Sequence, residues 1–493
     1  MYLKTRYPPK IFTVMKKTFL ILLLGIVAQS LFAQQKNIKK PDGDLISTRF
    51  IDQTAKKLMD TAGVTGLCIG VINDNHPVYV QAYGFKNKAK NELNDTTTSF
   101  YAASLAKPLF GYIVVQLAQE GVIDLDKPLY TYLPKPMPEY DNYKELAGDD
   151  RWKLITARHC LSHTTGFPNW RNSDPNNFQK MGIFFTPGTH YSYSGEGIML
   201  LQMVVEIITH RNLEDLAREK VFVPLHMTKT SFVWQPSFEA DYANGHGIEE
   251  DTLPKDRYKQ QFAAGSMETT IADYTRFIAG ILQKKNLSDK FWNEMLSPQI
   301  AINSKKQIFS LNTADTTRDN DAIQLSYGLG WGLFKTPYGR SFFKEGHGIG
   351  WVHYMIADPE KKTALIIMSN SASGESIFTE LVQKLTGVTI PSYWENYIPY
   401  RGTAKLSTEQ LKQFEGVWEC AQYTATVTLV NGKLKVEAPK VNMPPTTFYP
   451  QNDHHLFLRV MEADFEFVKG PDGRFNKVIA DDEGEHYELK RIK

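Results

Sequence analysis

The stretch YAASLAKPLFGYIVVQLAQEG, residues 101–121, decides how the rest of the chain is read. Ser104 and Lys107 are three residues apart, a spacing that on a helix brings both side chains onto one face about one turn apart. A serine hydroxyl is a poor nucleophile until a neighbouring base takes its proton. Lysine can act as that base when burial and nearby positive charge lower its pKa. A serine at a helix N-terminus also gains from the positive end of the macrodipole as negative charge develops. The pattern alone equally describes a helix cap with a solvated lysine, which is the commoner case. A second SxxK, Ser341-Phe342-Phe343-Lys344, lies in a predicted strand. There i and i+3 point to opposite faces, so Ser341 is read as a decoy.

Outward from this segment, helical and strand signals alternate from about Thr48 to Leu385, and almost only strand signals follow Thr403. A helix over Phe50–Asp60 leads into the apolar run GLCIGVI, the turn NDNH and the strand PVYVQAYG, which together read as an antiparallel hairpin. Four later runs, YGLGWGLF (327–334), RSFFKEG (340–346), WVHYMIADP (351–359) and TALIIMSN (363–370), are spaced as a meander, and the helix-like GESIFTELVQKL (374–385) follows them. Strands at both ends around a helix-rich middle predict an α+β domain, an antiparallel sheet flanked by helices with a helical subdomain, over residues 45–398. In the tail, Asn431-Gly432 and Asp472-Gly473 sit at hairpin positions between alternating strands. They predict a separate small all-β barrel or sandwich over 408–493.

Two further segments give the opening serine its context. PGTHYSYSGEGIMLLQMVVE (187–206) places Tyr193 beside small residues at the start of an apolar helix, and EGHGIGWVHYMIADP (345–359) places His347 at a Gly-rich strand entrance. In this order and spacing, with SLAK, the chain resembles the serine β-lactamase and penicillin-binding-protein superfamily, in particular its class C and DD-peptidase-like branch. ITARHCLSHTTGF (155–167) and AAGSMETTIADYTRFIAGIL (263–282) also match, and the resemblance spans nearly all of 45–390. It implies that Ser104 is the acylated nucleophile and Lys107 its base. Tyr193 corresponds to the tyrosine of the YxN element and His347 to the first residue of [KH]xG. It further implies an oxyanion hole from the backbone N–H groups of Ser104 and Gly350, with Gly195 and Gly348 lining the substrate site, and no metal or organic cofactor. Two positions depart from the pattern: Gly195 stands where the family has Asn, with Glu196 next to it, and Ile349 stands where it has Gly. Both bear on substrate recognition more than on nucleophile activation. The tail resembles the lipocalin-like β-domains appended to some members.

The implied activity is hydrolysis through an acyl-enzyme of an ester, a β-lactam or a D-amino-acid peptide, with small-molecule or peptide substrates, peptidoglycan fragments among them, as partners. The alternatives are a promiscuous carboxylesterase and a penicillin-binding or peptidoglycan-sensing protein that acylates without turning over. Other residues read as structural. His159 and His163 have i, i+4 metal-ligand spacing, but Cys160-Leu161-Ser162 between them holds no Glu, so they and Cys160 are assigned to packing. No GxSxG occurs, which disfavours an α/β-hydrolase.

The 493 residues carry 56 Lys+Arg against 54 Asp+Glu, a balance that argues against nucleic acid or anionic membrane as the main partner. Three cysteines exclude a disulfide framework. Lys16-Lys17, the apolar run Phe19–Val27 and the small residue Ala33 form an export signal over 1–33, whose start is read at Met15. Its apolar core is too short to span a bilayer. Cleavage near Ala33 and a periplasmic or secreted enzyme are expected. Removing the five basic residues of 1–33 changes the formal charge from +2 to −3.

Overall fold

The computed structural model describes residues 37–171, 180–308, 310–441, 443–482 and 485–493. The export signal assigned to 1–33 lies outside the described residues. Among those residues no helix is long and apolar enough to cross a membrane.

The N-terminal hairpin, β1 (Gly66–Asn73) and β2 (His76–Asn87), turns on Asp74 and Asn75, both at positive φ, as a two-residue hairpin requires. It joins a short edge strand β3 (Glu92–Leu93) and the later meander, β4 (Ile300–Ala301), β5 (Ser326–Tyr327), β6 (Gly332–Thr336), β7 (Gly339–Gly348), β8 (Trp351–Asp358) and β9 (Thr363–Ser369). The result is one antiparallel sheet of order β3-β2-β1-β9-β8-β7-β6-β5-β4, in which Cys68 of β1 pairs with Met368 of β9. The two ends of the domain therefore meet at the centre of its sheet.

Central strands are buried on both faces, and their alternation sorts side chains between two cores. In β8, Met355 and Ala357 face the helical subdomain, while Val352, Tyr354 and Ile356 face the opposite side. That opposite side is covered by α1 (Thr48–Ala62) and, with its own apolar stripe, the helix later named α6 (Phe378–Thr386). On the first side lie α2 (Ala106–Gln119), α3 (Ala157–Leu161), α4 (Gly195–Thr209) and α5 (Ile271–Leu282). Every residue of α2 from Ala106 to Leu117 is buried, as befits a helix enclosed on all sides.

The run YGLGWGLF, expected as one strand, is two: β5 ends at Tyr327 and β6 starts at Gly332. The intervening Gly328–Trp331 turn lies against α2, where a Cβ on Gly111 would come 3.1 Å from the Leu329 carbonyl. The tail, entered through α7 (Thr408–Lys412), is a closed barrel rather than a sandwich. Its strands are β10 (Gly416–Glu419), β11 (Thr424–Val430), β12 (Lys433–Ala438), β13 (Met443–Pro450), β14 (His455–Phe457), β15 (Ala463–Lys469), β16 (Phe475–Asp482) and β17 (Glu485–Arg491). Asn431 and Gly432, at φ 51° and 78°, make the tight hairpin their sequence predicts. The barrel has its own core; Lys433 and Lys435 pair with Glu249 of the sheet domain, and Asp464 pairs with Arg401 of the connector.

Candidate active site

Ser104 sits in a 3-10 turn, Ala103–Leu105, that runs directly into α2. Ala103 is held at φ 47°, in the left-handed region that a residue with a Cβ seldom adopts. Three contacts fix this turn: Ala102 N–H donates to the Met267 carbonyl (2.8 Å), Tyr274 of α5 donates to the Leu105 carbonyl (3.1 Å), and His353 of β8 donates to the Tyr101 carbonyl (2.8 Å). Burial lowers the His353 pKa to about 4, so the ring is a neutral donor at this position.

One helical turn on, Lys107 is 1% exposed, and its Nζ lies 2.8 Å from Ser104 Oγ while donating to the Ala264 carbonyl at 2.6 Å. Tyr193 precedes α4, whose N-cap Ser194 accepts from Gly197 N–H. The phenol lies between two amines. Lys107 Nζ is 5.1 Å and Lys344 Nζ 4.9 Å from its ring centre, and Lys344 donates to its hydroxyl at 3.1 Å. The structure thus brings Ser104, Lys107 and Tyr193 together.

His347 is not part of this group. Its exposed ring pairs with Glu375 at 2.9 Å, near the end of β7. The cation beside Tyr193 is Lys344, fully buried and ion-paired with Glu345. The strand element beside the serine is therefore Lys344-Glu345-Gly346, three residues earlier than the His347 assignment. This register restores a glycine at its third position, so Ile349 no longer marks a departure there. Gly350 is likewise displaced. It occupies the β7–β8 turn at φ 78°, and a Cβ there would strike Leu253 and His246. Gly348 lies against the Tyr101 ring. The part of β7 beside the nucleophile is Gly346, where a Cβ would stand 3.0 Å from the Ala102 carbonyl. Pairing with β6 stops at Phe343, so residues 344–348 extend past that neighbour as a strand edge facing the serine turn.

Strand parity puts Ser341 beside Ile38 and Ile356 on the far side of the sheet. Lys344, set aside with it, is the residue that matters, and only tertiary structure places it against a tyrosine 151 positions away. At Gly195, a Cβ would lie 2.6 Å from the Trp170 ring, and the Gly195 N–H donates to Asn169 Oδ1 at 3.0 Å. Glu196 is tied up with the Arg171 guanidinium at 3.0 Å. Asn169 and Trp170 thus occupy the space beside the missing amide.

His159 and His163 do not share a helix face, because α3 ends at Leu161 and His163 has φ 56°. His159 completes a capping box with Thr156. His163 is buried under Tyr193, ring centres 4.3 Å apart, and its Nδ1 accepts from Ser194 N–H.

Electrostatics separate the two lysines. Burial, followed by the charge of Lys344, pushes Lys107 well below the usual lysine pKa. Burial also disfavours charge on Lys344, but Glu345 and Tyr193 outweigh it and hold its pKa above the usual value. Burial raises the Tyr193 phenol, against the opposing effect of Lys344. Environment alone drives the two lysines apart, Lys107 toward the neutral amine and Lys344 toward the cation.

A serine turn, a buried lysine beside it, a tyrosine and a second lysine on the strand, set between an antiparallel sheet and a helical subdomain, are arranged as in the serine β-lactamase type of fold. Residues 51–384 match the Beta-lactamase family model, and the chain belongs to that family. A penicillin-binding protein of Bacillus subtilis is 22% identical over 455 residues, covering 84% of this chain and 92% of its own. Among solved structures, an octameric penicillin-binding protein homologue from Pyrococcus abyssi covers 90% of this chain and 100% of its own at TM-score 0.56 and 17% identity. The D-alanine carboxypeptidase AmpC from Burkholderia cenocepacia covers 66% and 93% at TM-score 0.53 and 19% identity.

Proposed function

We propose that this protein is an exported serine hydrolase that forms an acyl-enzyme at Ser104 on an ester, a β-lactam or a D-amino-acid peptide. The observation that carries this reading is the buried Lys107 amine, pushed well below the usual lysine pKa, 2.8 Å from Ser104 Oγ, with Lys344 nearby. As Ser104 Oγ attacks the acyl carbon, its proton passes to Lys107 Nζ. Ala264, accepting from that same nitrogen, fixes the amine in line. The developing oxyanion is held by the Ser104 N–H and by an N–H of the uncovered β7 edge, His347 in this register. Such a donor is worth about 3 kcal/mol in the transition state. Tyr193, polarised by Lys344, gives its phenol proton to the leaving group as the acyl carbon–leaving-group bond breaks, and takes back the proton held by Lys107. Water then repeats the sequence on the acyl-enzyme, with Tyr193 as the hydrogen-bonding partner.

The glycine at 195 removes a side-chain amide from the substrate wall. That favours acyl hydrolysis in general over a dedicated β-lactamase. The relatives named as penicillin-binding protein and D-alanine carboxypeptidase support the substrate class. The experiment measures turnover of nitrocefin, p-nitrophenyl esters and D-Ala-D-Ala peptides side by side for wild type and Ser104→Ala. Turnover of at least one by wild type alone is expected. Acylation by penicillin without any turnover would favour a sensor instead.

A further inference from the structure

An eight-stranded barrel has an interior just wide enough to be filled by its own side chains or to hold one small ligand. This barrel is filled at one end and hollow at the other. At the filled end Phe414, buried in the segment entering β10, sits 4.9 Å from the Phe467 ring, edge-on, and stacks 5.0 Å from Phe475. Toward the other end Ala425, Ala438, Ala463 and Ala480 stand among the inward positions, beside the larger Trp418, Phe448 and Phe465, and a cavity of about 340 Å³ remains.

Three features describe what this cavity would accept. Its wall carries no Asp, Glu, Lys, Arg or His among the described residues, so a charged group would lose its hydration there without a partner. The polar groups on its wall, Gln422, Tyr423 and Tyr487, include two at the β10–β11 connection. Gln422, Val441 and Met461 come from the connections after β10, β12 and β14, which an up-and-down meander gathers at one end, and Val441 is 51% exposed. The opening is therefore at the end opposite Phe414. Protein interiors are otherwise close-packed, and apolar cavities of about 150 Å³ already stay dry and take up benzene-sized molecules.

We infer that the barrel is a binding site for one small, predominantly apolar molecule, which enters tail-first between the Gln422 and Met461 connections and leaves its polar end at Gln422 and Tyr423. At about 30 Å³ per water-sized group the space takes a chain of roughly ten carbons. A medium-length alkyl or acyl chain with an uncharged head fits the lining. The site is separate from Ser104, and the inference does not rest on the acyl-enzyme reading.

The full chain is titrated with the fluorescent apolar probe N-phenyl-1-naphthylamine, and the bound probe is then competed with decanol. Saturable one-to-one binding and displacement by decanol are expected. Ala480→Trp, which fills the cavity, should weaken probe binding by more than about tenfold with the thermal midpoint unchanged or raised. Ser104→Ala should bind the probe like wild type. Val436→Phe provides a second filling variant should Ala480→Trp fail to fold. Lack of saturable binding by wild type, or unchanged binding by a folded filling variant, would overturn the inference.

Discussion

Lys107 and Lys344 are chemically identical side chains whose surroundings shift their pKa values in opposite directions. A cation beside Lys107 disfavours a second positive charge, so removing Lys344 raises the Lys107 pKa, and the remaining Glu345 raises it further. Wild-type kcat/KM should rise with pH as Lys107 loses its proton, at a pH well below that of a solvated lysine. Lys344→Met should shift that ascending limb to higher pH and lower the plateau by about 10²–10³-fold. A pH–rate profile that keeps its limb in Lys344→Met would show that Lys344 does not tune the base. At this scale the sequence was legible where chemistry is local. Ser104 and Lys107 lie one helical turn apart, and their spacing alone brings them together. Lys344 was not legible, because its meaning comes from Tyr193, 151 residues away, and a neighbouring histidine, His347, carried the more familiar motif letter.

Between elements, the decisive distance is that from β7 to the nucleophile turn. Gly346 approaches the Ala102 carbonyl so closely that a Cβ would stand 3.0 Å from it, and backbone cannot swing aside as a side chain can. Gly346→Ala should therefore fold but push the strand edge off the serine turn. A displacement approaching 1 Å costs about 10²-fold in kcat/KM, with the thermal midpoint lowered only slightly. Activity indistinguishable from wild type would mean that the strand does not set the site. Alternating patterns and turn chemistry made the hairpins readable, Asn431-Gly432 among them. The break in YGLGWGLF was not readable, because it exists to clear α2 and no local residue preference records that contact.

For the whole molecule, three cores matter: two on either face of the sheet and one inside the barrel, with no residue shared between the barrel core and the others. The contacts between domains include ion pairs at Glu249 and Arg401 whose side chains are 27–51% exposed, individually worth about 0–1 kcal/mol. A chain ending before α7 should keep its acylation chemistry at Ser104. Its loss would show that the barrel completes the site. The division into a composite sheet domain and a β tail was visible in the pattern of the sequence, whereas closure of the tail into a barrel depends on the long-range pairing of β10 with β17. The most direct test of the central claim is covalent. Wild type and Ser104→Ala are incubated with a β-lactam and, separately, with a fluorophosphonate, and the adduct is mapped by mass spectrometry. A single adduct on Ser104 in wild type, absent from Ser104→Ala, is the result expected; equal labelling of both proteins, or an adduct mapped elsewhere, would contradict it.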